Sequence, residues 1–269
     1  MRSPLLVRPR SHGYGEVVAI APRGDGLHYI DFKVVRIAAG ESYSSNTTGS
    51  ETVVVFIEGC ADVTAGAQVW TNVGERRSPF DGPPRAVYLP PQHLYEIAAN
   101  EDCEIAVCGA PARASYPARL LALQERDGHE RGTGNAQRRV YDILMEPDAA
   151  STLFVTEVVT PPGHWSSYPP HKHDTDNPPH ESALEELYYY RAQPQAGFAF
   201  QRVYTADGEL DETVTAHDRD VVLVPRGYHV CAAAAEYAIY YLNVLAGPKH
   251  VYHMTFDPQH EWIREGWTW

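Results

Sequence analysis

Three short segments carry side chains that could hold a metal. They are Pro170-His171-Lys172-His173, Glu185-Glu186-Leu187-Tyr188 and Pro225-Arg226-Gly227-Tyr228-His229. On a β-strand, residues i and i+2 face the same way, so His171 and His173 can point together into a barrel. Two imidazoles, a carboxylate and a third imidazole from another strand form a pocket suited to one divalent ion (Zn, Mn, Fe or Ni). Positions remain open there for water or substrate. Glu185 and Glu186 face opposite ways once a strand has begun. Glu186 shares its face with Tyr188 and Tyr190 and matches Glu51 in an earlier repeat, so it is the expected fourth ligand, with Glu185 as the alternative. The conjunction carries this reading, because a lone strand histidine is usually a satisfied polar residue. The chain has 13 histidines, ten of them from His129 onward. His12, His28, His129 and His260 read as surface groups, and no spacing singles out His164, His180, His217, His250 or His253.

Other residues are expected around these ligands. Tyr188 and Tyr190 could reach a bound molecule, although aromatic strand residues are mostly core. Tyr241 and Asn243 share one face of the last strand of the second repeat and are expected in the pocket wall. Arg202 could pair bidentately with an acid group. Lys172, between two ligands, should face away.

The elements that must position these groups are strands. Apolar segments such as Thr52–Ile57, Glu186–Tyr190, Phe198–Tyr204, Asp220–Val224 and Tyr237–Val244 are short, rich in β-branched or aromatic residues, and bounded by turn formers. With 21 prolines and 20 glycines, this is the pattern of an all-β antiparallel sandwich or barrel. One short helix is expected after Pro117. The chain also repeats itself in order. Val34–Ser45 parallels Glu157–Ser167, Glu51–Phe56 parallels Glu186–Arg191, Ala86–His93 parallels Val221–His229, and Cys103–Pro111 parallels Tyr240–Pro248. The repeats predict two β domains, 1–135 and 136–269, divided in the polar stretch Gln124–Arg138, which reads as linker or surface loop.

Composition narrows the function classes. The 269 residues carry 35 acidic and 22 basic side chains, a formal charge of −13, which argues against nucleic-acid binding. A small anionic substrate needs only a few local cations. No apolar run is long enough for a signal peptide or a membrane span, and Cys60, Cys103, Cys108 and Cys231 form no C-x-x-C pair. A cytoplasmic protein with reduced cysteines and no membrane partner is expected. A homo-oligomer is left open.

At the metal-ligand segments the sequence resembles the cupin superfamily, with departures. Gly163 precedes His171 by eight residues, twelve residues separate His173 from Glu186, and the second motif is a shortened P-x-G-x-H. Within that superfamily, Ser167–Asp174, Leu184–Arg191, Arg219–His229 and Tyr240–Gly247 look like the 5-deoxy-glucuronate isomerase family of inositol catabolism. The resemblance covers essentially the whole chain. It implies two tandem cupin-type β-barrels (a bicupin) with few short helices. It also implies a divalent metal on His171, His173, Glu186 and His229 in the second barrel. The first barrel keeps Glu51 and His93 but no H-x-H, and is expected to bind no metal. The implied reaction converts 5-deoxy-glucuronate to 2-deoxy-5-keto-gluconate through an enediol. Such a reaction needs a base, for which Glu185 and Tyr188 are candidates, with Glu181 and Asp174 also open. The alternatives are an Fe- or Ni-dependent cupin dioxygenase, a related 5-keto-4-deoxyuronate isomerase, or a non-catalytic binding bicupin.

Overall fold

The computed structural model describes residues 3–24 and 26–265. The first half contains β1 (Leu6–Val7), β2 (Gly15–Ile20), β3 (Asp31–Ile37), β4 (Ser42–Asn46), β5 (Ser50–Glu58), β6 (Cys60–Ala65), β7 (Gln68–Gly74), β8 (Arg85–Leu89), β9 (Leu94–Ala99) and β10 (Cys103–Pro111). There follow β11 (Arg119–Ala122), β12 (His129–Arg131), β13 (Arg138–Leu144), β14 (Leu153–Thr160), β15 (Trp165–Lys172), β16 (Asp174–Asn177) and β17 (Glu181–Ala183). The chain continues through β18 (Glu185–Gln193), β19 (Phe198–Tyr204), β20 (Asp211–His217), β21 (Val221–Val224), β22 (Tyr228–Ala233), β23 (Ala238–Ala246) and β24 (Thr255–Phe256). Three short 3-10 turns are the only helical elements among the described residues, and no helix there is long and apolar enough to cross a membrane.

Apart from β16 and β17, which pair with each other, the strands form two barrels. One consists of the sheets β11-β8-β5-β10-β3-β2 and β4-β9-β6-β7. The other consists of β1-β21-β18-β23-β14-β13-β12 and β20-β19-β22-β15-β24. Each barrel encloses its own apolar core, around Val54, Phe56 and Ile97 in the first and Tyr188, Tyr190 and Val203 in the second. A third core lies between the barrels, where Val53, Val55 and Tyr88 meet Leu187, Tyr189, Leu242 and Val244. Strands such as β5 and β18 therefore bury both faces and read as continuous apolar runs rather than alternating ones.

The two halves hold each other reciprocally. β1 leaves its own half to pair with β21, and β11 pairs back onto β8. Glu185 turns away from its barrel and accepts hydrogen bonds from the backbone N–H groups of His28, Tyr29 and Ile30 at 2.7, 2.7 and 2.9 Å. Glu51 does the same in the opposite direction, accepting from the N–H groups of Ser151, Thr152 and Leu153 at 2.6–3.0 Å. A buried bidentate pair of Arg76 with Glu157, at 2.8 and 2.9 Å, adds a further link.

Three expectations are corrected here. The helix after Pro117 is instead β11, because four residues are too few to nucleate a helix and pairing with β8 satisfies their backbone. The stretch Gln124–Arg138 is not a free linker, since β12 lies within it and joins the second barrel. The sheets consequently divide between β11 and β12, ahead of the expected boundary at 135/136, and β1 lies with the second barrel. Cys103, Cys108 and Cys231 are buried and Cys60 half-buried, all as free thiols.

Candidate metal centre

The second barrel brings three histidines to one point. His171 near the end of β15, His173 just beyond it, and His229 on β22 each offer a ring nitrogen, all within 4.8 Å of one another. Among the described residues no other group of three potential ligands does so. The three residues are 9%, 2% and 0% exposed, so water satisfies little of their polarity. The Nδ1 of His171 lies 3.2 Å from the Pro169 carbonyl, that of His173 3.1 Å from Leu184, and that of His229 3.2 Å from Gly227. One tautomer serves all three contacts, with Nδ1–H donating to the carbonyl and Nε2 presenting a lone pair inward.

Glu186 completes the set from β18. Its Oε2 lies 3.1 Å from His173 Nε2 and 3.0 Å from His229 Nε2. The buried His229 Nε2 nonetheless has no partner in hydrogen-bond geometry among the described residues. Burial opposes charge on Glu186, yet His229 and His173 outweigh it and hold the carboxyl down at about 2. Burial, with His229 and His173 alongside, pushes the His171 ring well below its ordinary pKa and keeps it neutral. At His173 burial also acts downward, but Glu186 prevails and raises the pKa. The Glu186 carboxylate, the inward-facing ring nitrogens and the unpartnered Nε2 of His229 form a donor set that fits a divalent ion.

The cluster opens on a cavity of about 290 Å³ lined by His171, Glu186, Ser167, Tyr188, Tyr241 and Asn243 together with Arg131, Arg138 and apolar side chains. Asn243 Nδ2 donates to Glu186 Oε1 at 2.6 Å and fixes the carboxylate's orientation. Tyr188 Oη is 2.8 Å from Ser167 Oγ, and Tyr241 Oη is 2.5 Å from Ser166 Oγ. Lys172 points away, bound to Asp174 and Glu181 at 2.7 Å.

Several expected site residues lie elsewhere. Glu185 is a clasp to the first barrel, because strand alternation sends it to the face opposite Glu186. Tyr190 is inside the barrel but donates to Gln201 at 2.9 Å and does not line the cavity. Arg202 is exposed on the outer face of β19 and forms a two-pronged pair with Asp211 at 2.8 Å. Arg202→Ala should accordingly leave kcat/KM within about two-fold of the parent, a surface pair contributing little. Steady-state kinetics checks this, and a large rise in KM would return Arg202 to the site. Asp174 and Glu181 are tied up by Lys172. Arg131 and Arg138 escaped sequence reading because they lie in the stretch taken for a linker. The alternating Val140-Tyr141-Asp142-Ile143 that follows was the available signal of a strand.

The register also revises the first barrel. Thr52 pairs with Leu89 as Glu186 pairs with Val224, and Ser45 pairs with Tyr95 as His171 pairs with His229. Glu51 is thus the counterpart of Glu185, not Glu186, and Tyr95 takes the inward place expected of His93. Ser45, Thr52 and Tyr95 line a small cavity of about 150 Å³ there.

Comparison with known proteins agrees with this architecture. The chain is 46% identical over 252 residues to the 5-deoxy-glucuronate isomerase of Geobacillus kaustophilus (strain HTA426), covering 93% of this chain and 91% of that one. It is 41% identical over 269 residues to the protein of the same name from Bacillus subtilis (strain 168), covering 98% and 99%. A crystal structure of an IolB-like protein from Salmonella typhimurium LT2 superposes with a TM-score of 0.92 at 41% identity, covering 97% of this chain and 99% of that one. The oxalate decarboxylase of Lactobacillus farciminis, at 13% identity and a TM-score of 0.66 over 95% and 89% of the two chains, shares the fold alone. The KduI/IolB family profile matches residues 5–263, and the chain belongs to that family.

Proposed function

We propose that the chain is a metal-dependent aldose–ketose isomerase that converts 5-deoxy-glucuronate to 2-deoxy-5-keto-gluconate in inositol catabolism. The observation that carries this reading is the inward convergence of His171, His173, Glu186 and His229 beside a cavity that mixes apolar walls with Arg131, Arg138, Ser167 and Asn243. Relatives bearing that enzyme's name at 46% and 41% identity supply the substrate. These four residues would hold one divalent ion. Such an ion polarises an aldehyde and its neighbouring hydroxyl, which acidifies the C–H between them.

The remaining work falls to the chain's own groups. Asn243 holds Glu186 in one orientation. Burial, reinforced by Glu186, raises Tyr188 well above its ordinary pKa, so its phenol keeps its proton. With Ser167 it forms a hydroxyl pair that can hold a proton beside a substrate oxygen. Tyr252, Met254 and Phe256 cover the cavity with apolar surface and exclude water. The ligand is a small anionic sugar acid, and free thiols accord with a reducing cytoplasm.

The test is a proton NMR assay of the metal-loaded protein in D2O without oxygen. The aldehyde signal should disappear, deuterium should enter the new hydroxymethyl group, and chelation should stop the reaction until Mn, Zn, Fe or Ni is restored. Oxygen uptake with substrate would favour a dioxygenase, and preferred turnover of 5-keto-4-deoxyuronate would reassign the substrate.

A further inference from the structure

We infer that Arg138 is the anchor for the substrate's far carboxylate, and that it sets which end of the acid meets the histidine cluster. This inference rests on the isomerase reading above. A six-carbon aldose acid reacts at its aldehyde end and carries its charge at the other, so the cavity must supply a cation away from the metal ligands. Two arginines line it. Arg131 is already engaged, with Asp142 at 3.4 Å and His129 at 2.9 Å. Arg138 is only 7% exposed, and among the described residues its side chain makes one hydrogen bond, from Nη1 to the Ala136 carbonyl at 3.0 Å. No carboxylate pairs with it among those residues. Its remaining donors open onto the cavity, where the acceptors of a ligand can meet them.

The local backbone is shaped around that side chain. Gly132 has φ +81°, and a Cβ there would lie 2.6 Å from Arg138 Nη1 and 2.2 Å from the Ala136 oxygen. Only glycine leaves room for the guanidinium in this place. Further along the same face of β13, Val140 pairs with Val158, and both line the cavity. A carbon adjacent to the anchored carboxylate therefore meets the hydrocarbon of these two side chains. A deoxy carbon fits that place.

Arg138→Met in the metal-loaded full chain tests the assignment. KM for 5-deoxy-glucuronate should rise about 30- to 100-fold with kcat little changed, as for loss of a charge-assisted bidentate contact. Activity on the neutral analogue 5-deoxy-glucose should be equal in parent and variant, metal content should hold, and added guanidinium should restore part of the loss. Equal losses on both substrates, or no loss on the acid, would overturn it. Should the methionine variant fail to fold, Arg138→Lys serves. Its KM for the acid should rise by about three- to ten-fold with the neutral substrate unaffected, and either a parental KM or parallel losses would count against the anchor. Adipate binding by calorimetry separates this inference from the isomerase reading. Parent binding that weakens in the variant supports the anchor even if no isomerisation is found, and unchanged affinity removes it.

Discussion

His229→Ala should lower kcat/KM by about a thousand-fold or more and bring bound metal close to zero, while the barrel stays folded. His229 is fully buried, its Nδ1 faces a backbone carbonyl, and its Nε2 has no hydrogen-bond partner among the described residues. The fold therefore uses one side of this ring and leaves the other for a ligand. Removing the ring also removes one of the two histidines that hold the Glu186 carboxyl down at about 2. Metal analysis, circular dichroism and kinetics on the same preparation check the prediction. A metal-free H229A protein with full activity would end the metal mechanism.

A second large effect should appear in stability rather than catalysis. Glu51→Ala orphans the backbone N–H groups of Ser151, Thr152 and Leu153, which have Glu51 as their carboxylate acceptor. Unmet buried donors cost about 1–3 kcal/mol each, so a loss of about 4 kcal/mol and a melting temperature lower by roughly 10 °C are expected. Glu185→Ala should lose a similar amount, because His28, Tyr29 and Ile30 depend on it in the same way. E51A should keep its kcat/KM at 25 °C, since it lies outside the cavity. Calorimetry decides the matter, and a melting temperature within a degree or two of the parent would refute the clasp.

Much of the site was legible because its spacing has a direct geometric meaning. H-x-H places two rings on one face of a strand, and the face shared with Tyr188 and Tyr190 separates Glu186 from Glu185, whereas the match to Glu51 pointed to the wrong neighbour. Asn243 and Tyr241 followed from the same alternation. The reading failed where meaning depended on what lay opposite. Arg202 also obeys strand alternation, but sequence does not say which face of β19 is inside. Tyr190 faces inward, yet depth along the barrel is set by the register between strands, and this gives its hydroxyl to Gln201. Arg138 sits where glycine and charge density imitate a linker. The repeat alignment slipped by one residue at Glu51. Both copies offer a glutamate near the start of a buried strand, and only pairing partners distinguish a ligand position from a clasp.

The exchanged strands β1 and β11, with the paired carboxylates Glu51 and Glu185, have a consequence for how the halves diverged. The arm and the carboxylate clasp that one half offers are returned by the other, as in an isologous, arm-swapped homodimer whose subunits have been joined end to end. Residues at such a seam must suit the opposite copy, as Glu51 must suit the backbone of Ser151, Thr152 and Leu153. Residues inside a barrel answer to their own copy only. The arms and clasps are alike in both copies, while one interior holds imidazoles and a carboxylate and the other holds Ser45, Thr52 and Tyr95.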